Sequence, residues 1–467
     1  MTFAKPGARS TWNAKYTGFQ PRFGLAYQIQ RRLVMRASYG MSYLPLGGTG
    51  GLVTVRQNGY SRSTPYVSTS GGGANAYIPN LPGNSTWDNP FPAGILQPYG
   101  NSLGARTFVG QGITYDDPNY EIPRVHQFNA GFEYELPWWK TTLEASYVGS
   151  RTHKLSHTQN VNAISMAQRL QCVANTSLCT NSVTNPFAGA AELAGTSLFN
   201  ATTSNGQAVL PFPQFTGVTK ASIPNGTQTG DLLEIRANKR FSQGLLFNFS
   251  YTLGKIMQTR GYREAQYTWL YRTLADYDRT HHISFTFQYD LPVGKGKRFA
   301  GNASGVTEKI IGGWQYNTSL EYMTGVPTGR PDAYNLANPE LPEGQQTYNR
   351  WFNTCTLLAN GSRSNCASTN EAVVWVQLPN AYSLRSYDDR FPNIRNPWAT
   401  QVNMSLFKNF KIRERMNFQL RGEAFNAFNT PIYQGPDTGL TSNNFGRVTI
   451  SQQNFPRSMQ FAFRLQF

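Results

Sequence analysis

The sequence predicts an all-β fold, an antiparallel transmembrane β-barrel segment of about eleven strands with long extracellular loops. Three observations carry that prediction. Segments that alternate apolar and polar residues recur in pairs along the 467 residues. The connections alternate between short turns and long polar loops. The chain also ends on FPRSMQFAFRLQF, where Met459, Phe461, Phe463, Leu465 and Phe467 take every second position up to the terminus. Chain ends are usually polar and loosely held, so an aromatic ending needs a reason.

The first pair is RFGLAYQIQ, with Phe23, Leu25, Tyr27 and Ile29 on one face, and LVMRASYGMSY, with Leu33, Met35, Ala37, Tyr39, Met41 and Tyr43. Only Arg31 and Arg32 separate them, the signature of a hairpin with period-2 patterning on both arms. HQFNAGFEYEL follows, turns at PWWK and continues into TTLEASYVGS. The third pair, DLLEIRANKRF and LLFNFSYTL, turns at SQG. HISFTFQYDL and WQYNTSLEYM form the fourth pair, across the longer PVGKGKRF…KIIGG link. TQVNMSLFKNF and MNFQLRGEAFNAF form the fifth around KIRER, and the C-terminal segment is the eleventh strand.

Between pairs the expected loops are long, roughly residues 44–124, 152–230, 254–280, 323–399 and 428–457. Compact soluble domains seldom repeat loops above about 12–15 residues. Outer-membrane barrels have this asymmetry by construction, with short turns on the periplasmic side and long ones outside. The second face of the strands carries Gln28, Arg36, Glu133, Glu144, Glu234, Arg236, Asn248, Gln288, Glu321, Asn403, Arg421 and Glu423. A wet lumen accepts such residues and a sandwich core does not. Trp138, Trp139, Tyr289 and Trp314 at strand ends suit interfacial girdles.

Composition excludes other classes. Hydrophobic residues are 39% of the chain and mean hydropathy is −0.46, with no apolar run long enough for a helical span. The net charge of +17 invites a nucleic-acid reading, but the 42 Lys and Arg are scattered, so no nucleic-acid partner is expected. Their densest groups, KGKR (Lys295 to Arg298) and KNFKIRER (Lys408 to Arg415), fall between strands. Cys172 with Cys179 and Cys355 with Cys366 lie in polar stretches and suit local disulfides in an oxidising compartment. Zinc is the competing reading, against which the spacing is wide.

If the short turns face the periplasm, the first strand runs towards it and the eleventh finishes there at Phe467. The N-terminus then lies outside the cell, on an odd strand count where bacterial single-chain barrels are normally even. MTFAKPGARSTWNAKYTGF lacks the apolar core of an export signal. The expectation is a C-terminal part of a longer polypeptide.

QFNAGFEYELP…LEASYVGSRTHKL, IRANKRFSQGLLFNFSYTLGK, DRTHHISFTFQYDLPVGKGKRF, YNRWFNT, FKNFKIRERMNFQLRGEAFNAFNTP and the final FGRV…FAFRLQF stand in an order and spacing that resembles the Oar-like group of TonB-dependent outer-membrane receptors. The resemblance covers nearly the whole chain. It implies a 22-stranded barrel closed by an N-terminal plug and energised through TonB, of which residues 1–467 would be the C-terminal barrel half, without plug or signal peptide. It also implies that Phe461, Phe463, Leu465 and Phe467 form the C-terminal signal read by the barrel-assembly machinery. The expected surroundings are outer-membrane lipid and lipopolysaccharide in the bacterial cell outer membrane.

No enzyme chemistry is expected, and no cofactor. PVGKGKRF lacks the Ser or Thr of a phosphate loop and reads as a basic turn. DYDRTHH gathers Asp276, Asp278, His281 and His282 at a strand entry, but the two histidines of a strand face opposite ways. No G-x-S-x-G elbow occurs. Ligand contact is expected from the loops, above all GGTGGLVTVRQNGYSRSTPYVSTSGGG and NPFPAGILQPYGNSLG, whose Gly, Tyr and Asn suit adaptable recognition. The function expected is uptake or binding of an unidentified large or scarce ligand. A passive porin-like channel and a non-transporting adhesin are the alternatives.

Overall fold

A computed structural model describes residues 13, 18–44, 56, 58–64, 91, 94–342, 344–385, 388–413, 416–448 and 452–467. The chain builds one 13-stranded sheet, in which eleven strands follow a single path in sequence order. They are β1 (Arg22–Gln30), β2 (Leu33–Tyr43), β3 (Arg124–Glu135), β4 (Thr141–Asn160), β5 (Gly217–Ser242) and β6 (Leu245–Gly261), then β7 (His281–Asp290), β8 (Trp314–Met323), β9 (Ala399–Arg413), β10 (Met416–Phe425) and β11 (Ser458–Gln466). Neighbours on the path are all antiparallel. Two short strands lie off it: Gly112–Asp116 pairs in parallel with β5, and Tyr271–Leu274 pairs with β6. The sheet is therefore larger than the eleven strands expected. It is also open, because among the described residues β1 pairs only with β2 and β11 only with β10.

Register explains why alternation is so regular. Leu245, Tyr289, Tyr316, Leu406, Gly422 and Phe461 stand side by side across six strands. Phe23, Tyr39, Phe128 and Gly149 do the same across β1 to β4. At Gly149 an added Cβ would lie 2.3 Å from the Phe128 ring, so the glycine leaves the space the aromatic covers. The opposite face carries a row in which Glu133, Glu144, Arg236, Ser250, Ser284, Glu321 and Gln401 are successive partners. Glu133 and Glu144 directly oppose each other, and the like charges are offset by Arg36 on one (3.0 Å) and Arg236 on the other (3.7 Å). One face is mostly apolar and stays open, with Lys239, Thr318 and Lys408 among its exceptions; the other is a ladder of polar groups.

A spanning strand needs about 9–11 residues. β4, β5 and β6 have 20, 26 and 17, so each runs far beyond one bilayer. The sequence placed the start of β5 near Asp231, and the structure starts it at Gly217. Residues 217–230, GVTKASIPNGTQTG, lack alternation because above the bilayer neither face meets lipid.

The described part of the fourth long connection is folded rather than structureless. Pro327–Gly329 pairs with Arg390–Arg395, and a small sheet joins Ala333–Asn335, Trp375–Gln377, Thr356–Leu357 and Arg363–Ser364. Phe352, Trp375, Phe391 and Phe445 pack edge-to-face or tilted at 5.4–6.3 Å, and all four are buried. The largest fully buried side chains lie in this cap, whereas Phe23, Tyr27, Phe461 and Phe463 of the sheet are at least 60% exposed. No described helix is long and apolar enough to cross a membrane.

Candidate functional site

The cap sits at the long-loop end and is locked by arginines that join loops far apart in sequence. The helix Met166–Ala174 begins with a capping box between Ser165 and Gln168, which fixes its first turn. It presents Arg169, which pairs with the buried carboxylate of Glu264 at 2.6 Å and donates to the Tyr382 carbonyl at 2.8 Å. Glu264 also accepts from the Arg385 backbone N–H at 3.1 Å. Three loops thus meet on one carboxylate. Arg263 pairs with Asp388 at 2.7 Å, and Arg395 with the fully buried Asp278 at 2.6 Å. Lower down, Lys220 lies 2.8 Å from Asp117. Burial works against the Asp117 carboxylate, but Lys220 and the Asn119 N–H together hold its pKa below the ordinary value.

One cleft of about 720 Å³ lies between the cap and the end of β8. Tyr348 and Trp351 stack on its wall with ring centroids 5.9 Å apart and planes 8° apart. The Trp351 indole N–H donates to the Arg395 carbonyl at 2.6 Å, so the platform is fixed. Trp398, 63% exposed, lines the same cleft, with Gln346, Asn393 and Asn396 supplying amide groups. Asn393 and Arg395 also line a second cleft of about 500 Å³, towards β6. Flat aromatic surface with convergent amides binds by stacking and neutral hydrogen bonds.

Cys172 and Cys179 are bonded and buried beside Ile164, and Cys355 and Cys366 are bonded across the Thr356–Leu357/Arg363–Ser364 hairpin. Glu371 lies near the second pair, but its carboxylate is taken by Arg350. A zinc site needs free thiolates, and here the sulfurs are joined to each other. Asp278, His281 and His282 do not converge: Arg395 takes Asp278, Tyr251 bonds His281 at 2.9 Å, and Glu321 bonds His282 at 3.1 Å. In PVGKGKRF the Lys295 N–H donates to the Glu308 carboxylate at 2.5 Å, so an anion of the chain already fills the turn.

Phe461, Phe463 and Leu465 lie in β11 opposite Gly422, Leu420 and Phe418, and Phe467 is 92% exposed. Of the two loops expected to meet ligand, GGTGGLVTVRQNGYSRSTPYVSTSGGG falls largely outside the described residues, with Arg56 and residues 58–64 its described part. NPFPAGILQPYGNSLG is described at Phe91 and from Gly94 onward, where Arg62 lies 4.5 Å over the Tyr99 ring. The aromatic cleft is lined by the fourth long connection. No period-2 alternation marks it: YNRWFNT lies inside a loop, and the contact of Trp351 with Arg395, 44 residues away, is not visible in the sequence.

A family model described as outer membrane beta barrel domain matches residues 1–460. No curated protein matches the chain. Among solved structures, the chain is similar to the ferripyoverdine receptor of the outer membrane of Pseudomonas aeruginosa, at 9% identity and TM-score 0.37, covering 96% of this chain and 33% of that one. It is similar to the outer membrane transporter YddB from Escherichia coli at 10% identity and TM-score 0.38, covering 96% and 40%. For the FrpB iron transporter from Neisseria meningitidis the values are 11%, 0.35, 96% and 39%. The chain thus spans between a third and two fifths of the length of these structures.

Proposed function

The chain belongs to the outer membrane beta barrel domain family, and from that premise we propose that it forms wall, lumen and cap of a TonB-dependent receptor of the Oar-like group. It resides in the bacterial outer membrane. In this reading it is half of a 22-stranded barrel, and it binds a ligand too large or scarce for open pores and admits it. The observation that carries the proposal is the in-register sheet, apolar on one face and lined by Glu133, Glu144, Arg236 and Glu321 on the other, beneath an interlocked cap. A lipid-facing wall needs the first face and a wet lumen the second.

The aromatic cleft at Tyr348, Trp351 and Trp398 is the proposed first contact for ligand. No covalent step is assigned to the chain. Gating by a plug and energy from TonB are assigned to a part of the polypeptide beyond these residues, and insertion to the barrel-assembly machinery reading Phe461, Phe463, Leu465 and Phe467. Planar-bilayer conductance of the native polypeptide, purified from outer membranes, tests the reading. Silence in buffer, with conductance appearing once mild urea loosens a plug, is the expected result. Steady conductance from the start would make the protein a passive channel instead.

A further inference from the structure

At the short-turn edge, opposite the cap, the charge balance changes. In the cap six arginines, Arg169, Arg263, Arg350, Arg385, Arg390 and Arg395, each have a carboxylate partner. At the other end exposed cations stand on or beside several of the described connections. The β1–β2 turn is Arg31-Arg32, Lys140 closes the β3–β4 turn, and Arg240, near the end of β5, donates its backbone N–H to the Lys140 carbonyl at 3.1 Å. The link between β7 and β8 adds Lys295, Lys297, Arg298 and Lys309, and Lys411 extends from the end of β9. Among the described residues none of these enters an ion pair.

Large apolar side chains stand exposed between the cations. Trp138 and Trp139 are 63% and 60% exposed on the β3–β4 turn. That turn holds Trp139 and Lys140 at φ of 70° and 48°, a conformation such residues rarely adopt, and the Lys239 ammonium secures it by donating to the Trp139 carbonyl at 2.9 Å. In the short helix Gly305–Ile311, Val306 and Ile310 are one turn apart and 73% and 63% exposed, with Lys309 beside them. Cations interleaved with indoles and aliphatic groups at the end of a spanning sheet form the signature of a headgroup-level belt.

We propose that this edge is a collar for anionic phospholipid headgroups of the inner leaflet of the outer membrane. Short turns of such barrels face the periplasm, so these cations meet the phospholipid leaflet and not lipopolysaccharide. Unpaired Lys and Arg beside a membrane favour anionic headgroups, and the exposed indoles and aliphatics enter the acyl boundary beneath them. A cell-wall polymer would match the charge but would leave Trp138, Trp139, Val306 and Ile310 without an apolar environment. The proposal rests on the membrane position of the sheet and is independent of transport.

Native mass spectrometry of the detergent-purified native polypeptide tests it, with phosphatidylglycerol and phosphatidylcholine of equal chain length as probes. Retained phosphatidylglycerol is expected to exceed phosphatidylcholine severalfold and to fall at least threefold in Lys295→Gln/Lys297→Gln/Arg298→Gln and in Arg31→Gln/Arg32→Gln. Arg106→Gln/Lys154→Gln, on the cap side, is the control expected to leave retention unchanged. Equal retention of the two lipids, or retention unaltered in both turn variants, overturns the proposal. So does capture of soluble muropeptide, lost in the same variants, in place of lipid. Should the variants not assemble, raised salt applied to the wild type decides: phosphatidylglycerol retention must fall while phosphatidylcholine retention holds.

Discussion

Asp278 is fully buried, and its two carboxylate oxygens have separate tasks. One accepts the Ile256 backbone N–H at 2.6 Å, tying the upper end of β6, and the other accepts the Arg395 guanidinium at 2.6 Å. Arg395 in turn donates to the carbonyls of Asp278 and Gly325 and offers its own carbonyl to Trp351. One buried ion pair therefore connects the strand, the cap and the aromatic platform. Removing a single partner leaves an uncompensated buried charge, at a cost of about 3–5 kcal/mol. Asp278→Asn keeps the bond to Ile256 through its oxygen and turns an amide donor towards the Arg395 guanidinium. We expect it to raise hydrogen exchange by two to three orders of magnitude in residues 323–399 while the strands stay protected. Asp278→Asn/Arg395→Gln, which restores a neutral donor–acceptor pair, is expected to recover much of that protection. A cap as protected in the single variant as in the wild type would show that the ion pair does not hold it.

At the scale of elements, the cap and the wall differ in what holds them. The wall is a ladder of backbone bonds with its apolar face open, whereas the cap has an aromatic core and a covalent tie. Cys355–Cys366 closes an 11-residue separation around the Thr356–Leu357/Arg363–Ser364 hairpin, whose strands are two residues each. Strands that short cannot hold register alone, and closing such a loop contributes about 3 kcal/mol. Cys355→Ser/Cys366→Ser is expected to expose Trp375, buried beside the hairpin, to aqueous quencher without changing strand protection; an unaltered Trp375 would mean the packing of Phe352, Phe391 and Phe445 suffices. The same contrast explains what was legible in the sequence. Period-2 alternation is enforced where lipid wets one face, so Phe285, Phe287 and Tyr289 announce β7 without any partner. The cap has no such enforcement: its core joins Phe352, Trp375, Phe391 and Phe445 from four segments without period, and its ion pairs join residues as far apart as Arg263 and Asp388, 125 positions away. The upper reaches of β4, β5 and β6 were missed for the same reason, since above the bilayer Gly217 to Gly230 has no face to declare.

For the whole molecule the two edges of the sheet set the constraint. β1 and β11 each present one row of N–H and C=O groups with no partner among the described residues. In hydrocarbon an unsatisfied backbone group costs several kcal/mol, so neither edge can face lipid as it stands. Closing the eleven-strand path on itself is the simplest remedy, but its geometry is unfavourable. Gln30 and Gln466 both lie at the short-turn edge, where β1 turns into β2 and where Gln466 is opposite Asn417, so β1 and β11 run the same way. A seam between them would be a parallel pair in an otherwise antiparallel path, and parallel pairing is the less stable per residue. Further strands at both edges avoid that seam and keep the path antiparallel. Refolding residues 1–467 alone into detergent micelles and running them unheated on a semi-native gel separates the two cases. We expect no compact, heat-modifiable monomer band from this chain. A heat-modifiable monomer from residues 1–467 would mean that β1 and β11 do pair in parallel, and the half-barrel reading would then give way to a small closed pore.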